Sequence, residues 1–340
     1  MHSAPMGEQA IAGLANSTVA LGSAAERRAA GAPPTFTGVY PILATPFLAD
    51  ESVDHESLAK MLEFMLRIGV DGVTVLGVVG EANRMGDADR EAIVRAAVNR
   101  VAGRCAVIVG VSHPGTRATI ELGAMAASLG ADAVMVTASA EGVPSDARVA
   151  EYFGRVCAAS SVPVVLQDHP ASTNVHMPVP LIARIVAENA RIACVKAEAV
   201  PSAPKIAAIR AALTREVPML TGLGALYGQF DLDAGSSGYN TGFAFPEVLQ
   251  AHVRAHAAGD LALARRIWAR FLPLIVYEQQ PGVAVRKEVL RRRGLLGEAV
   301  VRHPGAPLAQ AAAHGLTALL EWVMPGVDIT EPVDVLGVVG

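Results

Sequence analysis

The chain has 340 residues, 52% of them hydrophobic and only 4% aromatic, with 32 acidic against 28 basic side chains and a formal net charge of −4. That balance gives no electrostatic case for nucleic acid or an anionic membrane, and despite a mean hydropathy of +0.38 no run of about 18 apolar residues escapes Gly, Pro or charge, so no transmembrane helix is expected. Cys105, Cys157 and Cys194 are an odd, widely spaced set without a CxxC pair, which argues against a disulfide scaffold or a zinc site and for a reducing, cytoplasmic setting; neither a metal nor a cofactor is expected.

The first 35 residues are rich in Ala, Gly, Ser and Pro and have no basic segment ahead of an apolar one. They read as a flexible tail, not a signal peptide. Short apolar runs rich in valine and isoleucine then recur at residues 38–44, 71–77, 105–112, 132–137, 162–168, 192–196, 217–222 and, more weakly, 235–240. β-Branched enrichment favours strand over helix for these. Segments with helical spacing lie between them. Leu58, Met61, Leu62, Met65 and Leu66 share one face of a first helix, which Gly69 can stop. The segment 87–103 opens on acids and closes on Arg100 and Gly103, as a helix macrodipole favours.

Eight strand–helix alternations, at roughly 25 to 35 residues per unit, predict an α/β fold of the (β/α)8 TIM-barrel type. The alternative, a doubly wound open sheet, would place a Gly-rich phosphate turn after its first strand, where this chain has ATPFLAD. Further helices are expected over 246–258, 260–278, 282–294 and 307–324, giving a barrel at 36–258, C-terminal helices at 259–325 and a C-terminal tail at 326–340. The basic run 285–294, with Arg286, Lys287, Arg291, Arg292 and Arg293, reads as a solvated helix face.

In such a barrel the C-terminal strand ends and the loops after them build the active site. Those positions hold Val78, Val79 and Gly80 after strand two, Ser112 and His113 after strand three, and Thr137 and Ser139 after strand four. Gln167, Asp168 and His169 end strand five, Lys196 and Glu198 strand six, and Thr221 and Gly222 strand seven. Residues two apart on a strand share a face, so Cys194, Lys196 and Glu198 fall together. A desolvated lysine loses its proton readily and becomes a nucleophile. Beside a carboxylate it can form an iminium with a 2-oxo acid, after which a base removes a proton from C3 or the C3–C4 bond breaks. The alternatives are a Lys196 that has left the strand for water, a Glu198 that merely pairs with it, and hydrogen-bonded loop histidines at His113 and His169.

Several stretches together resemble the Schiff-base pyruvate-lyase barrels, the family of dihydrodipicolinate synthase and N-acetylneuraminate lyase. GVYPILATPF, from Gly38 to Phe47, is similar to the family's opening strand; GVVGE, from Gly77 to Glu81, stands where the family has Gly-Thr-Thr-Gly-Glu; ACVKAEA, around Lys196, is similar to its lysine strand. The resemblance covers residues 35–324 and implies the Schiff base at Lys196. The chain departs from the pattern at several points. Val78 and Val79 replace the family's two threonines, Gln167 stands at its tyrosine, Ser172 at its carboxylate-binding arginine, and Ser139 and Ala140 at a tyrosine pair. The L-2-keto-3-deoxyarabonate dehydratase branch is closer, at Ser112-His113, at QDHPAS (Gln167 to Ser172), at Lys196 with Glu198, and at LPLIVYEQQPG (Leu272 to Gly282). That branch too has glutamine for the tyrosine.

This resemblance implies dehydration of a 2-keto-3-deoxy sugar acid through a Lys196 iminium. Glu198 would move the C3 proton and Gln167 would orient the substrate. His113 is a second candidate acid. Backbone N–H groups around Val79 and Gly80 would take the carboxylate, and Ser112, His113, Asp168, Ser139 and Gly222 would complete the pocket. It also implies a small-molecule partner and a homo-oligomer, a dimer or tetramer. The rival readings are a retro-aldolase or synthase on the same scaffold, which would release or use pyruvate, and a catalytically impaired barrel that only binds a 2-oxo acid.

Overall fold

The structure, a computed structural model, describes residues 33–138, 145–280 and 282–340. Most of the expected N-terminal tail, together with Ser139 and Ala140, lies outside the described residues. Eight parallel strands run in the order β1-β8-β7-β6-β5-β4-β3-β2: β1 (Gly38–Val39), β2 (Gly72–Val75), β3 (Ala106–Gly110), β4 (Ala133–Thr137), β5 (Val164–Asp168), β6 (Ile192–Ala197), β7 (Met219–Thr221) and β8 (Gly238–Tyr239). The remaining seam is bridged at Ile42 and Thr74, where Leu43 N donates to Thr74 O at 2.9 Å and Thr74 N to Pro41 O at 2.8 Å. The architecture is the expected (β/α)8 barrel, with β1 and β8 reduced to two residues each.

The strand alternation splits the core in two. Ala106, Ile108, Ala133, Met135, Val165, Cys194 and Leu220 fill the barrel, and Phe36 and Tyr40 stack in the same cluster with ring centroids 6.1 Å apart. The opposite faces, including Val107, Val109, Val134, Val136, Val164, Leu166 and Val195, pack under the helices. The helices are α1 (His55–Arg67), α2 (Asp87–Val101), α3 (Thr116–Ser128), α4 (Asp146–Ala159), α5 (Val179–Glu188), α6 (Ser202–Ala212), α7 (Gly228–Asp233) and α8 (Pro246–Ala257). A single helical turn, Pro170–Thr173, precedes α5. The anticipated face of α1 is inward: Leu58, Met61, Leu62 and Met65 are buried, and the Asp54 carboxylate caps the helix by accepting from Ser57 N at 3.0 Å. Among the described residues no helix is long and apolar enough to cross a membrane.

Four C-terminal helices follow, α9 (Leu261–Gln279), α10 (Val283–Arg292), α11 (Gln310–Val323) and α12 (Val335–Val339). Residues past 326 also join the body, since Val333 and Val335 are buried in the main core. The basic run on α10 is not a solvated face. Arg286 is 4% exposed, Lys287 0% and Arg293 1%, while Arg291 keeps to the surface. Each buried cation meets a buried carboxylate from another element: Arg286 Nε lies 3.1 Å from Glu278 Oε2, Lys287 Nζ 2.5 Å from Glu81 Oε1, and Arg293 Nη2 2.5 Å from Glu247 Oε1. Aromatic rings cover the rest, with Lys287 4.3 Å from the Phe47 centroid and Arg293 4.6 Å from those of Phe64 and Phe245. Paired, stacked charges of this kind can be buried where lone ones cannot.

Candidate active site

Lys196, the last residue but one of β6, has its side chain on the barrel-interior face, the face of Cys194 below it, and is 1% exposed. Glu198 continues the alternation one step past the strand, held by its amide donating to Asp168 O at 2.9 Å, and is 6% exposed. Lys196 Nζ stands 3.2 Å from Glu198 Oε2. The β5–β6 register pairs Gln167 with Lys196, which brings the Gln167 amide over the same carboxylate: Nε2 donates to Glu198 Oε2 at 2.6 Å. The other carboxylate oxygen accepts from Leu223 N at 3.1 Å. Gly222 makes room for it, since a Cβ there would collide with the Glu198 carboxylate. Two strand ends and one loop amide thus fix a single carboxylate against a single amine.

The environment acts on both groups in useful directions. Burial lowers the Lys196 pKa below its ordinary value, against the pull of Glu198. Burial would raise the Glu198 pKa, but Lys196, His169, Gln167 and the Leu223 amide outweigh it and hold the carboxyl below its ordinary range. Burial thus eases loss of the Lys196 proton, and the hydrogen bonds from Gln167 and the Leu223 amide still favour the ionised carboxylate once the amine is neutral, as attack on a carbonyl followed by proton abstraction requires.

A family model described as the dihydrodipicolinate synthetase family matches residues 35–322. The chain belongs to the dihydrodipicolinate synthetase family. Within it, the chain is 31% identical over 288 residues to L-2-keto-3-deoxyarabonate dehydratase of Azospirillum brasilense, covering 80% of this chain and 89% of that protein. It is 28% identical to YagE of Escherichia coli K12, whose given name is that of a 2-dehydro-3-deoxy-D-gluconate aldolase, over 84% of this chain and 96% of that one. The crystal structure of dihydrodipicolinate synthase from Rhodopseudomonas palustris superposes with a TM-score of 0.82 at 35% identity, covering 86% of this chain and 99% of that one.

The structure places the remaining residues singled out from sequence as follows. The β2 turn that stands at the family's Gly-Thr-Thr-Gly-Glu is a short 3-10 helix, Val78–Gly80, with Val78 53% exposed. The Gly80 N–H donates to Gly77 O at 2.9 Å and the Glu81 N–H to Val78 O at 3.1 Å, which leaves the Val79 N–H as the member of the expected pair that could meet a carboxylate. Glu81 itself is buried beneath the turn against Lys287. Ser112 Oγ accepts from Thr137 N at 2.9 Å. His113 is exposed, its Nδ1 accepting from Gly115 N at 3.0 Å. His169 is partly buried just past β5, and burial lowers its imidazole pKa. Asp168 and Thr221 point out of the barrel: Asp168 Oδ2 lies 2.6 Å from Lys205 Nζ on α6, and Thr221 Oγ1 donates to Asp231. The alternation along β5 and β7 carries that signal, since Asp168 and Thr221 each adjoin an inward residue, Gln167 and Leu220. His252 and His256, an i,i+4 pair on α8, are each engaged elsewhere. His252 bonds Tyr239 Oη at 2.7 Å and Gln229 Oε1 at 3.0 Å, and His256 bonds Asp233 at 3.0 Å.

Proposed function

We propose that the protein dehydrates a 2-keto-3-deoxy sugar acid by a Schiff-base mechanism. The observation that carries the reading is the buried Lys196–Glu198 pair at 3.2 Å, with Gln167 holding the same carboxylate oxygen. Neutral Lys196 adds to the C2 carbonyl, and loss of water gives an iminium. Glu198 takes a proton from C3, leaving an enamine. The enamine expels the C4 hydroxyl, which leaves as water with the proton Glu198 has just received. Water then hydrolyses the unsaturated iminium, releasing a 2-oxo acid and restoring Lys196. One carboxyl thus acts as base and then as acid, and the balance is one water lost. Gln167 has no accessible pKa, so its part is to orient Glu198 and a substrate hydroxyl. His113 is turned to the surface and takes no part. The likeness to a dehydratase of this substrate class supports the reading. The name of YagE favours the retro-aldolase as the second reading, in which a base acts on the C4 hydroxyl and pyruvate leaves.

The test is to incubate the protein with pyruvate and, separately, a panel of 2-keto-3-deoxy pentonates and hexonates, reduce with borohydride, and weigh the intact protein beside Lys196→Ala. The expected result is an adduct on the wild type alone, lighter by one water than the reduced Schiff base of the intact sugar acid. An adduct of pyruvate mass from a sugar acid would install the retro-aldolase, and no adduct with any 2-oxo acid would remove the Schiff-base reading.

A further inference from the structure

A substrate of this class brings an anion into the barrel mouth, its C1 carboxylate, bonded directly to the carbon that Lys196 attacks. The β2 turn cannot answer it with side chains, since Val78 and Val79 carry no donors, and its Gly80 and Glu81 amides are occupied. A different group is available. Arg286 on α10 is 4% exposed, and its Nε donates to Glu278 Oε2 at 3.1 Å. Its Nη1 is buried and has no hydrogen-bond partner among the described residues. A buried charged donor left unmade is costly, and a guanidinium presents its donors in a rigid fork matched to carboxylates.

The position of that Nη1 is specific. A Cβ built on Gly242 would stand 2.9 Å from Arg286 Nη1 and 2.8 Å from Val79 Cγ2, so the guanidinium, the loop after β8 and the turn after β2 meet at one point of the rim. Two hydrogen bonds tie that point to the reactive pair. Thr241, one residue before Gly242, accepts from Gly224 N at 2.7 Å, and the adjacent Leu223 N donates to Glu198 Oε1 at 3.1 Å. Glu278 is anchored to the same loop by accepting from Ala244 N at 3.2 Å. Strands β6 and β8 are two apart, about 10 Å between backbones.

We propose that Arg286 binds the C1 carboxylate of the 2-oxo acid held on Lys196, with Glu278 positioning the guanidinium; this rests on the Schiff-base reading above. Binding would satisfy the buried Nη1 of Arg286 and leave the carbonyl carbon toward Lys196.

The experiment is borohydride trapping read by intact mass, titrating pyruvate and, in parallel, pyruvamide, which offers the same ketone without the charge. Wild type, Arg286→Lys, Arg286→Met, Arg286→Ala with and without methylguanidinium, and the double variant Arg286→Met/Glu278→Gln are compared, the last removing the carboxylate that the single change would strand. The half-saturating pyruvate concentration is expected to rise about 10- to 100-fold in both methionine variants, the range of a charge-assisted hydrogen bond. Pyruvamide trapping should be unchanged, and methylguanidinium should restore part of the pyruvate affinity to Arg286→Ala. Unaltered pyruvate saturation in a folded methionine variant overturns the proposal while leaving the Schiff base intact. Equal loss for pyruvate and pyruvamide overturns it also, by reducing Arg286 to a packing role. Should Arg286→Met fail to fold, the double variant and the lysine variant decide by the same criteria. A wild type that pyruvate does not label refutes the Schiff-base reading itself, and the carboxylate assignment with it.

Discussion

Replacing Glu198 by glutamine separates the two duties assigned to it. The proposed mechanism gives the C3 proton to this carboxylate, and general-base catalysis contributes about 10²- to 10⁴-fold, so turnover of a sugar acid should fall by that factor. Iminium formation should survive, because the nucleophile is intact. The charge removed also matters. At the observed 3.2 Å and an effective dielectric of about 20, the attraction of Glu198 for protonated Lys196 is roughly 5 kcal/mol. Each ~1.4 kcal/mol corresponds to one pH unit. The amide of glutamine still accepts a hydrogen bond from Lys196, which recovers part of the attraction. The pH for half-maximal trapping by pyruvate should therefore move down by about one to three units. Steady-state kinetics and a trapping series from pH 5 to 10 measure both effects. Turnover within about tenfold of wild type, or a trapping midpoint that moves up, would refute the assignment of Glu198 as base and as the partner that keeps Lys196 protonated.

Gly222→Ala tests the same carboxylate sterically. The backbone there has φ −126°, which any residue adopts, but the new methyl would displace the Glu198 side chain, so turnover should fall about 100-fold with the far-UV spectrum unchanged; near-normal turnover would mean that Glu198 need not hold its position. Lys287→Met removes the partner of Glu81 Oε1 beneath the β2 turn and leaves that carboxylate to Arg84 and the Arg302 amide; urea unfolding should show a loss of about 2 kcal/mol, with less than ~1 kcal/mol counting against the ion pair. Glu278 is the pH probe. Burial raises its carboxyl from 4.5 to about 6, against the pull of Arg286. Its contribution to stability is therefore fully present below 4.5 and is lost as pH rises through about 6. The stability of wild type relative to Glu278→Gln should decline by on the order of 2 kcal/mol between pH 4 and 7, and a flat difference would contradict the raised value.

The barrel was legible because its strands are valine-rich and nearly all of its helices advertise their faces and ends. Lys196 and Glu198 were legible because alternation places both on the face of Cys194. The same alternation, applied to Asp168, would have set it apart from Gln167, and its ion pair with Lys205 follows from that outward face. Arg286, Lys287 and Arg293 were not legible. Five cations in ten residues read as a solvated surface, and what overrides that reading is three carboxylates, Glu278, Glu81 and Glu247, that the sequence holds on three separate elements. Local charge density reports on the unfolded chain; burial of charge is decided by partners that only the tertiary fold supplies.

Those three pairs also determine what the C-terminal helices are for. Lys287 supports the β2 turn through Glu81, Arg286 reaches the loop after β8, and Arg293 donates to Ala244 O at 2.6 Å as well as to Glu247 on α8. Arg286 and Lys287 on α10 and Arg293 just past its end thus grip the loop after β8, the turn after β2 and the helix that closes the barrel. A solvated appendage would need none of these contacts, and each one obliges the protein to bury a charge. The arrangement is understandable if α10 is a wall of the mouth, placed to bring a guanidinium to a rim whose own turn offers only valine side chains.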